Sequence, residues 1–562
     1  MTPNVRSACG RTRLSIDAGN RVTIQREGRE QPYCRDGQMK ILVRSHLDPS
    51  EPAYLALVRT SRHASEGARL FFSDSSQRFK AVLTVAPSEE GVLVECEVRA
   101  PSPVWIAEWS ISGIHCNEML VPALGGQALS ASMPPGTILS FKYPFWWSAQ
   151  LVVARSAEGG LFLEARETDP RLKLLRVGKA EGDFTLTYGV EAQAPIREDV
   201  LRAAWILGTY DGDWKVPAER HRIWMEQAFQ LKRLEENELV PEWFKHVTMV
   251  LELWGMRKDR PRPHHTFAEM EKRLTAWSAL YDPASTLVYL PGFAEHGIDS
   301  HAPDYEPGKE LGGASGFRSL LRTAHRLGFR VMIHTNVLAM TFTHRRFREF
   351  RRHQVVDVFG RPQSWGLDMD GDWLAEPYFA YINPGARAWG ELMARTIRRL
   401  VKRFTIDAVF LDQTLLAFNT SRGPNFISGM RTHIRRLQQA MPGILFGGEG
   451  LHEQVASVLP MAQLHGIDSI AEVHGLDSQV GWRSAHPIST FLFSPYTKFT
   501  AHLLTRHPSD PRFAMQEEAY TRLGALPALC LYDAEQPMDT EGTRAMIARA
   551  KGVQSIPEAP VN

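Results

Sequence analysis

Paired cysteines are what this sequence most plainly lacks. Cys9, Cys34, Cys96, Cys116 and Cys530 are scattered, with no CxxC and no matched spacing. A sparse, odd set argues against a disulfide framework and a cysteine zinc site, and for a reducing compartment. Long apolar runs are missing too, since no stretch approaches the roughly 20 residues that span a bilayer. The first 20 residues carry Arg6, Arg11 and Arg13 but no continuous apolar core, so a secretory signal is not expected and a cytoplasmic location is. Nor is there an excess of one charge. A net charge of +2 over 562 residues gives no general attraction to nucleic acid or anionic membrane, and neither is expected as a partner. The local run Arg345, Arg346, Arg348, Arg351 and Arg352, interleaved with Phe347 and Phe350, reads as the solvated face of a helix.

Several cofactor signatures are absent as well. No strand is followed by GxGxxG, and Gly312-Gly-Ala-Ser-Gly316 has no Walker lysine. His264-His265 has neither HxH nor HExxH spacing. In Asp368-Met-Asp370-Gly-Asp372 the glycine comes too early for a calcium loop, and no twelfth-position glutamate follows. No cofactor and no metal are therefore expected.

What is present falls into two rhythms. From about residue 12 to 195, short alternating runs such as Phe79-Lys-Ala-Val-Leu-Thr-Val and Gly91-Val-Leu-Val-Glu-Cys-Glu-Val are broken by turn residues. This pattern predicts antiparallel strands, hence an N-terminal β-sandwich over 1–195. Residues 196–244 read as a helical connector, with Trp205, Tyr210, Trp214 and Trp224 packing between domains and one amphipathic helix over 218–234. From 245 to 553 apolar strands alternate with amphipathic helices, before a tail at 554–562. Strands are predicted at 246–253, 286–290, 330–334, 407–411, 444–446 and 528–532, with two more within 461–500. Helices are predicted at 267–280, 317–327, 386–404 and 426–441. Buried parallel strands in βα repeats over about 310 residues fit an α/β fold of the (β/α)8 TIM-barrel type.

Such barrels collect reactive side chains where the strands end at the carboxyl side. The strands here end in Glu252-Leu-Trp254, in Tyr289 followed by His296, Asp299, Asp304 and Tyr305, and in His334-Thr-Asn336. The fourth and fifth end in Leu411-Asp412-Gln413 and Gly448-Glu449-Gly450, and Glu472-Val-His474 follows later. Asp412 ends a buried strand with no helix close enough to cap. Glu449 stands between glycines that bring backbone close and leave a carboxylate exposed. Two carboxylates facing one cavity are what glycosidic cleavage requires: one attacks the anomeric carbon, the other protonates the leaving oxygen. Asp412 and Glu449 are the catalytic candidates. Trp254, Trp365, Trp373 and Tyr381 are candidates to stack on sugar, and His334 and Asn336 to bind hydroxyls. Tyr289, Asp304, Asn383, Gln413, Glu472 and His474 complete the candidate substrate-binding set.

The stretch Gly313-Ala-Ser-Gly-Phe317 through His334-Thr-Asn336, together with Tyr381-Ile-Asn383-Pro384-Gly and Asp407-Ala-Val-Phe-Leu-Asp412-Gln413, resembles barrel segments of bacterial retaining glycoside hydrolases. The resemblance is to the endo-α-N-acetylgalactosaminidase family (glycoside hydrolase family 101) and a related uncharacterised bacterial family, and more distantly to the α-galactosidase clan. It implies an N-terminal β-sandwich, a retaining α-glycosidase activity, Asp412 as nucleophile and Glu449 as proton donor. The chain departs from those relatives by lacking a signal sequence and a β-domain after the barrel, which points to an imported oligosaccharide or glycoside as substrate. A transglycosidase of the same mechanism, a catalytically silent carbohydrate-binding barrel and a metal-dependent barrel hydrolase are the alternatives. The expected partner is a carbohydrate substrate, and a homo-oligomer is possible.

Overall fold

The fold is that of a computed structural model, which describes residues 4–17, 19–63, 66–257, 262–368, 374–474, 476–477, 479–501 and 507–553, without the side chains of 471–473 and 553. The expected tail at 554–562 lies outside the described residues.

The N-terminal part is a large antiparallel sheet domain whose strands pair in two groups. Strand Ala53–His63 belongs to both, pairing first with Cys34–Ser45 and then with Gly67–Ser73. Alternation in the sequence becomes alternation of burial, as in Lys173–Lys179, where every second residue is buried. The apolar sides of the two groups meet in one core, where Trp109 and Tyr188 of one group close on Trp205 of the other at 4.9 and 5.1 Å between ring centroids. Trp205 lies on strand Val200–Asp211, which pairs with Val92–Arg99 and Gly159–Glu164. The helical connector expected from 196 is corrected here, since its first third is sheet. Its charged residues hid the alternation, and its helix, expected over 218–234, runs over Lys215–Ala228, beginning and ending earlier.

The second part is an eight-stranded, all-parallel barrel that is nearly closed. In chain order its strands are Met249–Leu253, Thr286–Leu290, Arg330–Asn336, Ala408–Asp412, Leu445–Gly448, Met461–Gln463, Lys498–Thr500 and Ala528–Leu531. Among the described residues the seventh and eighth meet where the seventh ends and the eighth is about to begin: Leu526 donates to the Phe499 carbonyl at 2.8 Å and Ala501 to that of Leu526 at 3.2 Å. Helices Phe267–Trp277, Gly313–Leu327, Arg387–Phe404 and Phe426–Ala440 pack outside, each burying an apolar stripe. The loop after the third strand is long and holds its own three-stranded antiparallel sheet, Ala339–Thr341, Glu376–Tyr381 and Ser364–Leu367.

A buried polar cluster joins the two parts. His221, on helix Lys215–Ala228, places Nδ1 3.1 Å from Glu164 of the sheet domain and Nε2 3.5 Å from Glu453 of the fifth barrel loop. Tyr143 donates to Glu453 Oε1 at 2.7 Å, the Gln150 side chain reaches the same oxygen, and Arg166 holds Glu164 at 2.8 Å. All three central groups are buried. Burial opposes charging of His221, but hydrogen bonds and charge from Glu164 and Glu453 outweigh it and raise its pKa above the ordinary 6.5. A raised histidine pKa stabilises fully below the unfolded value, and that contribution fades as pH climbs through the folded one. Glu453→Ala, which leaves the buried donors Tyr143 and Gln150 without their acceptor and His221 with Glu164 alone, is expected to cost about 3–5 kcal/mol near pH 6. The deficit should shrink towards pH 9, as followed by denaturant midpoints.

Candidate active site

Local backbone geometry brings the two candidate carboxylates to one rim. Glycines flank Glu449 because nothing larger fits: a Cβ on Gly448 would stand 2.5 Å from Thr414 Oγ1, and one on Gly450 2.9 Å from Leu415 Cβ. The end of the fifth strand thus lies directly against the chain that follows Asp412. Gln413 adopts a left-handed conformation (φ 66°), and its N–H donates to Glu449 Oε2 at 2.8 Å. Asp412 and Glu449 therefore end adjacent strands with a single peptide group between them.

Asn336 is the hub of the floor. Its amide nitrogen donates to Asp412 Oδ2 at 3.0 Å, Gln413 Oε1 at 3.0 Å and Asp299 Oδ2 at 3.2 Å. Its oxygen accepts the N–H groups of Leu338 and Ala339, both at 2.9 Å, which fixes the amide's orientation. Beside it His334 stands between Tyr289, at 2.6 Å from Nδ1, and Asp299, at 3.2 Å from Nε2. Burial pushes the Tyr289 hydroxyl well up, helped by the negative charges of Glu252, Asp412, Asp299 and Glu449. Tyr289 therefore keeps its proton and donates to His334 Nδ1, which leaves Nε2–H to donate to Asp299. Tyr381 accepts from Gln413 Nε2 at 3.3 Å and stacks on Phe418.

Burial raises the Glu449 carboxyl to about 7, against the stabilising Gln413 N–H and with the charge of Asp299 adding to the rise. His465 approaches Glu449 Oε1 with Nδ1 at 3.6 Å. The rim thus holds one carboxyl that carries its proton up to neutrality, beside another bound by an amide donor. Such a pair can run acid and nucleophilic chemistry together.

Other candidates sit elsewhere. Trp254 donates to the buried Glu252 at 2.6 Å and stacks on Tyr532. Asp304 pairs with His344 at 3.1 Å, and Trp365 stacks on Phe379 in the small sheet. Asn383 spends its amide on backbone, donating to the carbonyls of Arg422 and Pro424 and accepting from Gly385 N–H, so it shapes a turn. His474 meets Phe141 of the sheet domain edge-on. Trp373, with Asp370 and Asp372, lies outside the described residues, and so does the Glu472 side chain. Asp299 and Tyr305 were visible at the rim but not singled out, and His465 was missed because the sixth strand is only three residues long.

Among the described residues, two groups have the geometry to hold a cation: Asp299, His334 and Asp412, and separately Glu295, His296 and His301, each with ligand atoms within 4.8 Å of one another. In the first group hydrogen bonds to Asn336 and Tyr289 already engage each residue.

A family model described as a domain of unknown function, DUF6259, matches residues 201–422, a span that includes Asp412 and stops before Glu449. No curated protein matches. Among solved structures, ligand-free α-N-acetylgalactosaminidase NagBb from Bifidobacterium bifidum superposes with a TM-score of 0.73 at 15% identity, covering 98% of this chain and 93% of that one. Its complex with Gal-NHAc-DNJ gives 0.72 at 14% identity, covering 98% and 93%. A GH36 α-galactosidase AgaA variant from Geobacillus stearothermophilus, in complex with 1-deoxygalactonojirimycin, gives 0.50 at 11%, covering 99% and 86%. The chain shares the fold of NagBb along nearly its whole length.

A carboxyl whose pKa rises on folding stabilises below its unfolded value, near 4.5, and loses that contribution as pH rises through about 7. Glu449→Gln should therefore gain on the wild type between pH 4.5 and 8, by on the order of 2 kcal/mol. Paired denaturation curves across that range measure it, and a constant difference would contradict the assigned environment.

Proposed function

We propose that this chain is a glycoside hydrolase that cleaves α-glycosides of galactose or N-acetylgalactosamine with retention of configuration. The observation that carries the reading is the Asp412–Glu449 pair, two carboxyls on adjacent strand ends, one bound by the Asn336 amide and the other raised to about 7 by burial. Structural likeness to NagBb and the sequence resemblance to retaining enzymes support the sugar class and the stereochemistry. Glu449, protonated below about 7, gives its proton to the glycosidic oxygen as the bond to the anomeric carbon breaks. Asp412, held by Asn336, attacks that carbon from the opposite face and forms a glycosyl ester. Glu449 then takes a proton from water, which releases the sugar and restores both groups. Asp299, His334, Tyr381 and Gln413 line the same floor and are assigned to sugar hydroxyls. A sugar acceptor in place of water would make the same machinery a transglycosidase. No helix among the described residues is long and apolar enough to cross a membrane.

Asp412→Asn should reduce turnover to background with an unchanged melting curve; a folded, active variant would remove the nucleophile assignment. Glu449→Ala should lose about 10²–10⁴-fold on substrates with poor leaving groups and much less on activated aryl glycosides. It should also lose the fall in kcat/KM near pH 7. Azide should rescue Glu449→Ala and yield the α-glycosyl azide, whereas a β-azide would point to inversion. A second reading, a metal-assisted hydrolase, draws on the Asp299–His334–Asp412 grouping. Loss of activity on EDTA dialysis, restored by a divalent cation, would favour it.

A further inference from the structure

The sheet domain reaches the proposed proton donor. Between its strands Ile138–Tyr143 and Leu151–Ser156 the chain turns through Phe145 and Trp146, whose rings stack at 4.2 Å and 24°. Trp146 lies parallel to His465, with an interplanar angle of 4° and a centroid separation of 6.1 Å. His465 in turn stands 3.6 Å from Glu449. The seat of Trp146 is fixed by backbone. Its N–H donates to the Lys142 carbonyl at 2.7 Å, its carbonyl accepts from Leu124 at 3.1 Å, and a Cβ on Gly466 would come within 2.6 Å of its ring.

A proton donor stands beside the glycosidic oxygen, so the departing group must lie on its side of the site. Beyond His465 on that side stand Trp146 and Phe145 of the sheet domain, flanked by residues of the barrel. The wall they belong to also includes Leu124, Leu415 and Leu451, and carries no carboxylate, lysine or arginine. The space these residues enclose is about 30 Å³, too little for a ring, while Phe145 and Trp146 are each only half-buried.

We propose that Trp146, with Phe145 and His465, forms the leaving-group subsite and selects α-glycosides whose aglycone offers a flat apolar face, an assignment that rests on the glycosidase reading. The test compares kcat/KM for the 4-nitrophenyl α-glycoside with that for the α-glycosyl fluoride of the same sugar, galactose or N-acetylgalactosamine. The fluoride has no aglycone to stack. Trp146→Ala should lower the aryl-to-fluoride ratio by about tenfold, mostly through KM. Where that variant fails to fold, Trp146→Leu keeps apolar bulk over Gly466 without an aromatic face and should lower the same ratio. An unchanged ratio in a folded variant would overturn the subsite and leave the glycosidase reading standing. A wild-type protein that hydrolyses none of these substrates would overturn both.

Discussion

Glu453 lies four residues beyond Glu449, where the fifth barrel loop meets the sheet domain. Its two carboxylate oxygens are shared among Tyr143, Gln150 and His221, and His221 passes the contact on to Glu164. A buried carboxylate is costly unless its lone pairs are filled, so this loop has few arrangements open to it. The constraint is inherited by Glu449, whose own position is then completed by the Gln413 N–H. A proton donor held on a loop needs such support, because small displacements at a reacting atom cost rate steeply. The sheet domain therefore belongs to the working part of the molecule, since it supplies Tyr143, Gln150 and Arg166, three of the four side chains that hold Glu453 and Glu164, and helps anchor the loop that bears the acid.

The barrel floor works against its own stability. Glu252, Asp299, Asp412 and Glu449 all lie near enough to bias Tyr289 towards its protonated form. Like charges gathered at a rim repel, and the fold offsets this with the Asn336 amide, the His334 ring and proton retention on Glu449. Conflict of this kind is expected at functional sites, where local strain is held by the surrounding packing.

Much of this was legible in the sequence, and for identifiable reasons. The strand at Thr286–Leu290 was read to the residue because it is a short apolar run bounded by Ser285 and Pro291. Asp412 stood out because its strand is uniformly apolar and nothing nearby needs a cap. Strand Val200–Asp211 was not read, since Arg202 and the run Ala203-Ala204-Trp205-Ile206-Leu207-Gly208 blur the alternation expected of a strand that packs Trp205 against Trp109 and Tyr188. Asn383 was placed at the site on its motif, yet the turn before helix Arg387–Phe404 consumes its hydrogen bonds, a tertiary fact with no local signal. Trp146 and His465 could not be paired from sequence at all, because more than 300 residues separate two rings that meet only when both domains are in place.

That pairing suggests a division of labour between the two domains. Side chains after the second, third and fourth strands (Asp299, His334, Asn336 and Asp412) are knit to one another by direct hydrogen bonds and surround the place assigned to the sugar. After the fifth and sixth strands, Glu449 instead meets His465, which stacks on Trp146, and the loop that bears Glu449 is tied to the sheet domain through Glu453. In the proposed reaction the first group would meet the retained sugar and the second the group that leaves. Substitutions in the sheet domain near Phe145 and Trp146 would then change which aglycone is accepted without touching the residues that recognise the sugar, so specificity on the two sides of the scissile bond is physically separable in this fold.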